Sequence, residues 1–262
     1  MTGLKAAAPG RARGAGSGAT AAAGDGGQVI YDRDCSACPR LAAFLADSRR
    51  RYPDHWSAPV PSFGDEHPRI LIVGLAPGLH GANRTGRPFT GDHAGILLYR
   101  TLFDLGLASQ PTGAAPDDGL RLLGARITNA VKCVPPQNKP AGEEIRRCNG
   151  FLAAELRSLP RTRVIVALGR IAHEAVLGAL KLPRTRHAFA HAAEHRLPAP
   201  VPERAPGHAA QAGPDGGAGG LRAERWLVDS YHCSRYNTQT RRLTAQMFQA
   251  VLARAVQLAD GH

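Results

Sequence analysis

Short apolar runs separated by longer periodic stretches form the pattern of this chain. Four runs rich in Val and Ile, as strands buried on both faces are, lie at 69–74, 126–131, 163–168 and 225–230. The clearest helical pattern is C-terminal, with an apolar face made of Met247, Phe248, Val251, Leu252, Ala255, Leu258 and Ala259. This alternation predicts an α/β fold, with three α/β/α layers around a central, mostly parallel sheet of four strands.

Two stretches lack this periodicity. Residues 1–27 are rich in Ala and Gly, and we interpret them as a disordered tail. Residues from about 185 to 222 are rich in Ala, Pro and Gly, which indicates a low-complexity insertion or flexible loop in a single domain over 28–262. A metal-binding role and an incidental occurrence are both open for the histidines of this insertion, His187, His191, His195 and His208.

Polar segments follow all four predicted strands. They are the loop at 75–92, Asn129, the pair at 169–170 and the segment at 232–237. Because the carboxyl ends of parallel strands meet at one edge of a sheet, these segments are expected to form a single pocket there.

Composition narrows the class of partner. Lys and Arg number 33 against 21 Asp and Glu, a net charge of +12, which fits either a polyanionic partner or a solvated basic surface. Apolar residues make up 43% of the chain, enough for a core, and no long uncharged apolar run predicts a membrane span. The N-terminus lacks the apolar core of a secretory signal, so a cytoplasmic location is expected, at the nucleoid if the source is bacterial.

Four of the five cysteines have the spacing of a metal site. Cys35 and Cys38 lie three positions apart, and Cys133 and Cys148 follow much later. Four thiolates suit either Zn²⁺ or an iron–sulfur cluster, and buried free thiols are the alternative. Cys233 lies in a polar loop and is not expected to be a ligand.

Three segments resemble family 5 uracil-DNA glycosylases, the UDGb type. They are GLAPGLHGANRTGRPFTGD at 74–92, NAVKCVPPQNKP at 129–140 and HCSRYN at 232–237. The resemblance covers about residues 30–183 and 225–258 and implies the glycosylase α/β fold, a [4Fe–4S] cluster and excision of deaminated bases from DNA. The family's last motif reads closer to HVSRQN, so Cys233 and Tyr236 are departures.

By position, the resemblance implies that Asp92, Asn129 and His232 are catalytic. It implies cluster ligands at Cys35, Cys38, Cys133 and Cys148, with zinc as the less favoured metal. Contacts to substrate or DNA are predicted for Ala76, Pro77, Gly78, His80, Phe89, Ser234, Arg235 and Asn237.

For four of these residues, the side-chain chemistry fits a structural role as well as a functional one. Asp92 can stabilise a cationic sugar, and it is also a good N-cap for a helix over 93–105. His232 can donate a hydrogen bond to the departing base or be an ordinary loop histidine. Asn129 can read a base edge or close a strand-end turn. Phe89 can stack on an extruded base or belong to the core.

These inferences predict a monofunctional glycosylase, because no Lys matches a Schiff-base nucleophile. Expected substrates are double- or single-stranded DNA containing uracil, with hypoxanthine and xanthine as further bases, and the protein is expected to be a monomer without membrane contact. Ser234–Asn237 is expected to fill the gap left by the flipped base. A non-catalytic iron–sulfur nucleic-acid-binding protein is the alternative, and a redox protein is a third reading.

Overall fold

A central sheet with helices on both faces forms the computed structural model, which describes residues 22–23, 29–198 and 225–261. The strands are β1 Ala22–Ala23, β2 Val29–Tyr31, β3 Phe63–Gly64, β4 Ile70–Gly74, β5 Ala125–Asn129, β6 Val164–Leu168, β7 Glu194–Leu197 and β8 Arg225–Ser230. The helices are α1 Pro39–Arg51, α2 Ala82–Thr85, α3 His93–Asp104, α4 Gly142–Ser158, α5 Arg170–Ala179, α6 Arg235–Gln239 and α7 Ala245–Asp260. Short 3₁₀ turns lie at Pro136–Asn138 and Arg184–Arg186. No helix in the described ranges is long and apolar enough to cross a membrane.

The central sheet has six strands in the order β3-β5-β4-β6-β8-β7. Its four inner strands are parallel and match the four predicted runs, so the three-layer fold class is confirmed. The sheet is larger than predicted because antiparallel strands are added at both edges. Neither edge strand has an apolar run, since β3 has two residues and β7 reads Glu-His-Arg-Leu.

The first part of the predicted insertion or loop at about 185–222 contains regular structure, and the insertion itself stays a prediction. Strand β7 lies within it and pairs with β8 along its whole length. Residues 199–224, including His208, lie outside the described residues. Most of the predicted tail at 1–27 also lies outside them, apart from β1, which pairs with β2.

The two faces of β4 show how the layers are held. Ile70 and Ile72 pack in a core with residues of α3 and α7, such as Leu98 and Phe248. The alternate residues of the strand, beginning with Leu71, pack in a second core with residues of α4 and α5. Because alternate side chains of a strand lie on opposite faces, a strand covered on both sides is apolar throughout.

The carboxyl ends of the parallel strands meet at one edge. Gly74 at the end of β4 is paired with Asn129 at the end of β5. The backbone N–H of Gly169, just after β6, donates to the carbonyl of Ser230 at the end of β8, at 2.8 Å. The loops that leave these ends therefore start side by side.

Candidate functional site

A buried amide and an aromatic ring meet at the end of β4. Asn129 is 3% exposed, and its Oδ1 has no hydrogen-bond partner. A Cβ atom on Gly74 would lie 2.4 Å from this oxygen and 2.7 Å from Cζ of Phe89. Only glycine allows both side chains to approach the strand so closely. Phe89 itself has a φ of 55°, a backbone conformation that non-glycine residues adopt rarely. Asn129 and Phe89 therefore lie side by side at the end of β4, and we call this place the pocket.

The imidazole of His232 forms the next wall of this pocket. Its ring stacks on Phe89, with centroids 6.0 Å apart and an interplanar angle of 28°. The side chain of Asn237 donates to the His232 carbonyl at 2.8 Å, which fixes the loop after β8. Burial lowers the pKa of His232 to about 4, so at neutral pH the ring is uncharged and donates from one nitrogen.

The carboxylate of Asp92 caps α3. Its Oδ1 accepts a hydrogen bond from the backbone N–H of Gly95 at 2.8 Å, as the sequence pattern predicts for an N-cap. Its Oδ2 faces the preceding loop, where a Cβ on Gly81 would lie 2.7 Å away. Burial raises the pKa of Asp92, although the backbone N–H groups of Gly95 and Ala94 oppose this shift. The cap occupies Oδ1, while Oδ2 faces the loop.

Cys233 connects the Asp92 and His232 sides of the site. This residue follows His232, is fully buried and belongs to the same core as Phe89. Burial raises the pKa of its thiol, and the nearby Asp92 carboxylate adds to that increase. A Cβ on Gly95 would lie 3.5 Å from Oδ1 of Asp92 and 1.8 Å from the Phe89 carbonyl oxygen. Phe89 stacks on His232, so Asp92 and His232 lie on the same side of the molecule.

Three predicted contact residues of the first motif have other neighbours, and their contacts to substrate or DNA stay predictions. His80 is exposed and packs edge-on against the rings of Tyr52 and His55, with centroids 5.4 and 6.0 Å away. Pro77 is buried, and Ala76 packs against the core around the cysteines. Gly78 remains near the pocket, since a Cβ there would lie 3.9 Å from Oδ2 of Asp92.

The last motif divides into a structural and an exposed part. Ser234 caps α6 through a hydrogen bond from the backbone N–H of Asn237, at 3.4 Å. The Asn237 side chain is engaged with the carbonyl of His232. Arg235 and Tyr236 are exposed, with Tyr236 71% accessible. The exposed pair is the part available for a surface contact.

The four predicted ligand cysteines line one cavity. Cys35 and Cys38 lie in the segment before α1, Cys133 follows β5, and Cys148 lies on α4. Among the described residues, no cysteine belongs to a group of three ligand atoms lying within 4.8 Å of one another. Tetrahedral zinc requires sulfurs only about 3.8 Å apart, given a Zn–S bond of about 2.3 Å. A cluster that takes one cysteine at each of four irons suits this wider set.

Burial disfavours the thiolate form at two of these cysteines, Cys133 and Cys148. Burial raises the pKa of Cys133, and the neighbouring Cys148, Cys35 and Cys38 raise it further. Burial also raises the pKa of Cys148, although the backbone N–H of Lys132 donates to its sulfur at 3.2 Å. Metal binding to such a site displaces thiol protons, so the donor set fits an iron–sulfur cluster.

The core around the cysteines extends to the loop after β4. Ala76 and Leu79, from the loop after β4, pack against it. The backbone N–H of Val131 donates to the carbonyl of Leu75 at 3.0 Å, two residues beyond Asn129. The core around the cysteines therefore contacts the chain segment that follows Asn129.

Sequence reasoning missed the two glycines that make room for the site. Gly74 admits Asn129 and Phe89, and Gly81 admits Asp92. The available signal was the repetition of Gly directly after a buried strand, which marks close backbone approach.

The known proteins that this chain resembles are uracil-DNA glycosylases. The profile of the Uracil DNA glycosylase superfamily matches residues 61–255. The Type-5 uracil-DNA glycosylase of Thermus thermophilus is 47% identical over 230 residues, covering 86% of this chain and 94% of the relative. The protein of the same name from Pyrobaculum aerophilum is 39% identical, covering 85% of this chain and 88% of the relative. That from Mycobacterium tuberculosis is 39% identical, with coverages of 86% and 78%.

Proposed function

The chain belongs to the uracil DNA glycosylase superfamily, and on that premise we propose that it is a DNA-repair enzyme that hydrolyses the N-glycosidic bond of uracil. The products are free uracil and an abasic site. The observation that carries the proposal is the Oδ1 atom of Asn129, which is buried without a partner beside an aromatic ring. Buried polar atoms are almost always hydrogen-bonded, so this atom is suited to a ligand.

Asn129 matches the edge of uracil chemically. Its amide offers an acceptor and a donor side by side, and uracil presents the N3–H donor beside the O4 acceptor. The ring of Phe89 provides a face on which the base stacks, a contact worth about 1–3 kcal/mol. Hypoxanthine and xanthine present a similar N–H and carbonyl pair, so they stay predictions as further substrates.

His232 acts on the departing base. Bond cleavage leaves negative charge on the base, and a positioned donor lowers the energy of that charge. The stacking of His232 on Phe89 places its ring beside a base that stacks in the pocket. Its lowered pKa, about 4, means that a neutral imidazole donates the hydrogen bond at physiological pH.

Asp92 acts on the sugar. Cleavage leaves an oxocarbenium-like deoxyribose, which a carboxylate stabilises while its oxygen orients the attacking water. The Oδ2 atom is suited to this role because the hydrogen bond from Gly95 that caps α3 uses Oδ1. In this proposal Asp92 is both a helix cap and a catalytic group.

DNA contact rests on the exposed part of the last motif and on overall charge. The net charge of +12 supplies affinity for phosphate through counterion release. Arg235 is available for phosphate, and the exposed ring of Tyr236 can fill the space left by the flipped base. Of the segment Ser234–Asn237, we therefore propose that only the exposed residues Arg235 and Tyr236 contact the DNA.

The Asn129 side chain provides the sharpest test. Asn129→Leu is expected to lower single-turnover uracil release about 10²–10³-fold with duplex binding retained, because the base loses both directional bonds. Asn83→Leu is the matched control, since Asn83 is also buried with an unpartnered Oδ1 but bonds to Ser48 away from the pocket. Unchanged release by Asn129→Leu would contradict the role of Asn129, whereas a wild-type protein that binds duplex DNA and releases no uracil would favour a non-catalytic DNA-binding protein.

The proposed cofactor is a [4Fe–4S] cluster held by Cys35, Cys38, Cys133 and Cys148. When bound, it supplies a rigid cross-link between three chain segments, and base excision transfers no electron. Iron analysis is expected to give four irons per chain, with broad visible absorption. A colourless protein with zinc bound to sulfur would contradict this assignment.

Free cysteines also bear on location. All five are unpaired, which suits a reducing compartment such as the cytoplasm. A monomeric state stays a prediction.

A further inference from the structure

Two histidines and an aspartate meet on the side of the sheet formed by β7 and β8. Nδ1 of His173, on α5, lies 2.8 Å from Oδ1 of Asp229 on β8. Nε2 of His195, on β7, lies 3.2 Å from Oδ2 of the same carboxylate. The three ligand atoms lie within 4.8 Å of one another. None of these residues has a role in the proposed base excision.

The hydrogen bonds of His173 define which nitrogen carries its proton. Its Nε2 lies 2.9 Å from the carbonyl oxygen of His187, which can only accept, so Nε2 must donate. Nδ1 of the same ring therefore faces the carboxylate of Asp229. At 2.8 Å, these two groups require a cation between them, either a proton or a metal ion.

The burial of the Asp229 carboxylate also favours a cation beside it. The residue is 0% exposed and His173 only 1%. Among the described residues, the ion-pair partners of Asp229 are these two histidines, with no Lys or Arg. A buried carboxylate is costly unless a cation neutralises it.

We propose that His173, His195 and Asp229 bind a zinc ion. Two imidazoles and one carboxylate are a common zinc donor set, with a water as the fourth ligand. The His173 bond to a backbone carbonyl is the arrangement that usually orients a metal-bound imidazole. This site is separate from the four cysteines, since its donors come from α5, β7 and β8.

The ion has a structural role. It joins β7 and α5 to β8, three residues before His232. Backbone bonds already hold this edge, because Asp229 donates to Ala193 at 2.9 Å and accepts from Ala192 at 2.8 Å. Zinc adds a side-chain cross-link to that pairing. Removal of the zinc is therefore expected to lower the melting temperature and to leave the rate of base release nearly unchanged.

Zinc binding is tested on the full chain with its iron content intact, purified through a tag without histidines. After exposure to a mild chelator, the protein is titrated with zinc against a competing indicator, and the bound zinc is characterised by X-ray absorption. One zinc per chain is expected, with nitrogen and oxygen neighbours at about 2.0–2.1 Å. His195→Asn is expected to weaken zinc binding more than ~10-fold.

His191→Asn is the matched control. His191 lies in the same segment, but its Nδ1 accepts from the backbone of Tyr231 at 3.2 Å, so zinc binding should be unchanged. Wild-type protein that takes up no zinc at micromolar concentration overturns the proposal. Hydrogen bonds alone then hold His173, His195 and Asp229 together. Sulfur neighbours at about 2.3 Å overturn it as well, because the zinc then occupies the cysteine site.

Discussion

Two sets of buried polar side chains lie on opposite faces of the end of β5, and they differ in how far their hydrogen bonds are satisfied. On one face, the Glu155 carboxylate accepts from Arg126 at 2.9 Å, Thr128 at 2.8 Å and Lys132 at 3.2 Å. On the other, Oδ1 of Asn129 accepts nothing. The satisfied set joins α4 to the sheet, whereas the unsatisfied atom is suited to a ligand.

The two sets also differ in how burial changes the pKa values of their side chains. Burial would raise the pKa of Glu155, but the charges of Lys132 and Arg126 bring it down to about 2. In the pocket, burial prevails, because it lowers the pKa of His232 to about 4 and raises that of Asp92. Perturbed groups without compensating partners are typical of functional sites.

The largest expected effect comes from breaking the satisfied set. Glu155→Gln leaves the buried ammonium of Lys132 without a counter-charge and is expected to reduce the free energy of unfolding by about 3–5 kcal/mol. Denaturant unfolding measures this loss. Uracil release per folded molecule is expected to stay near the wild-type value, because Glu155 lies on the opposite face from the pocket.

Pairing this change with Lys132→Met sharpens the test. The double variant should recover part of the lost stability, since it removes the uncompensated ammonium as well. If Glu155→Gln leaves stability unchanged but abolishes release, the division between a structural and a functional set is wrong.

The reverse behaviour is expected on the other face. Asn129→Leu removes a buried polar atom that has no partner, so the free energy of unfolding should stay within about 1 kcal/mol of the wild type or rise. The same denaturant measurement applies. A loss of several kcal/mol would mean that Asn129 serves the fold.

The fold was largely predictable because its inner strands are covered on both faces. A strand such as β4 must be apolar throughout, and that run is visible in the sequence. Strand β7 was not predictable, because it lies at an edge and its one buried residue is Leu197. Its pairing depends on β8, which no local pattern reveals.

The proximity of the candidate site residues was more predictable than their detailed arrangement, and their roles stay predictions. Asp92, Asn129 and His232 follow strands whose carboxyl ends meet at one edge, so their proximity follows from topology. The side-chain bond of Asn237 to the His232 carbonyl depends on the conformation of the last loop, which the sequence does not reveal. The convergence of His173 and His195 on Asp229 likewise depends on the edge strand.

A small effect on stability is also expected from the double role of Asp92. Asp92→Ala removes both the cap of α3 and the charge, and should lower the free energy of unfolding by about 1 kcal/mol. Asp92→Asn keeps an oxygen that can accept from Gly95 and should change stability less. Both are expected to lower uracil release about 100-fold or more, because both remove the carboxylate.

The pH dependence separates the two roles further. Burial raises the pKa of Asp92, so in the wild type the reactive carboxylate is lost at a higher pH than for an ordinary aspartate. Single-turnover release should therefore fall as the pH falls through this raised pKa, and the residual release of Asp92→Asn should lack that dependence. The linkage to stability has the opposite sign, since a raised folded pKa stabilises the fold at low pH and this contribution is lost as the pH rises. If Asp92→Asn keeps wild-type release across this range, Asp92 is only a helix cap.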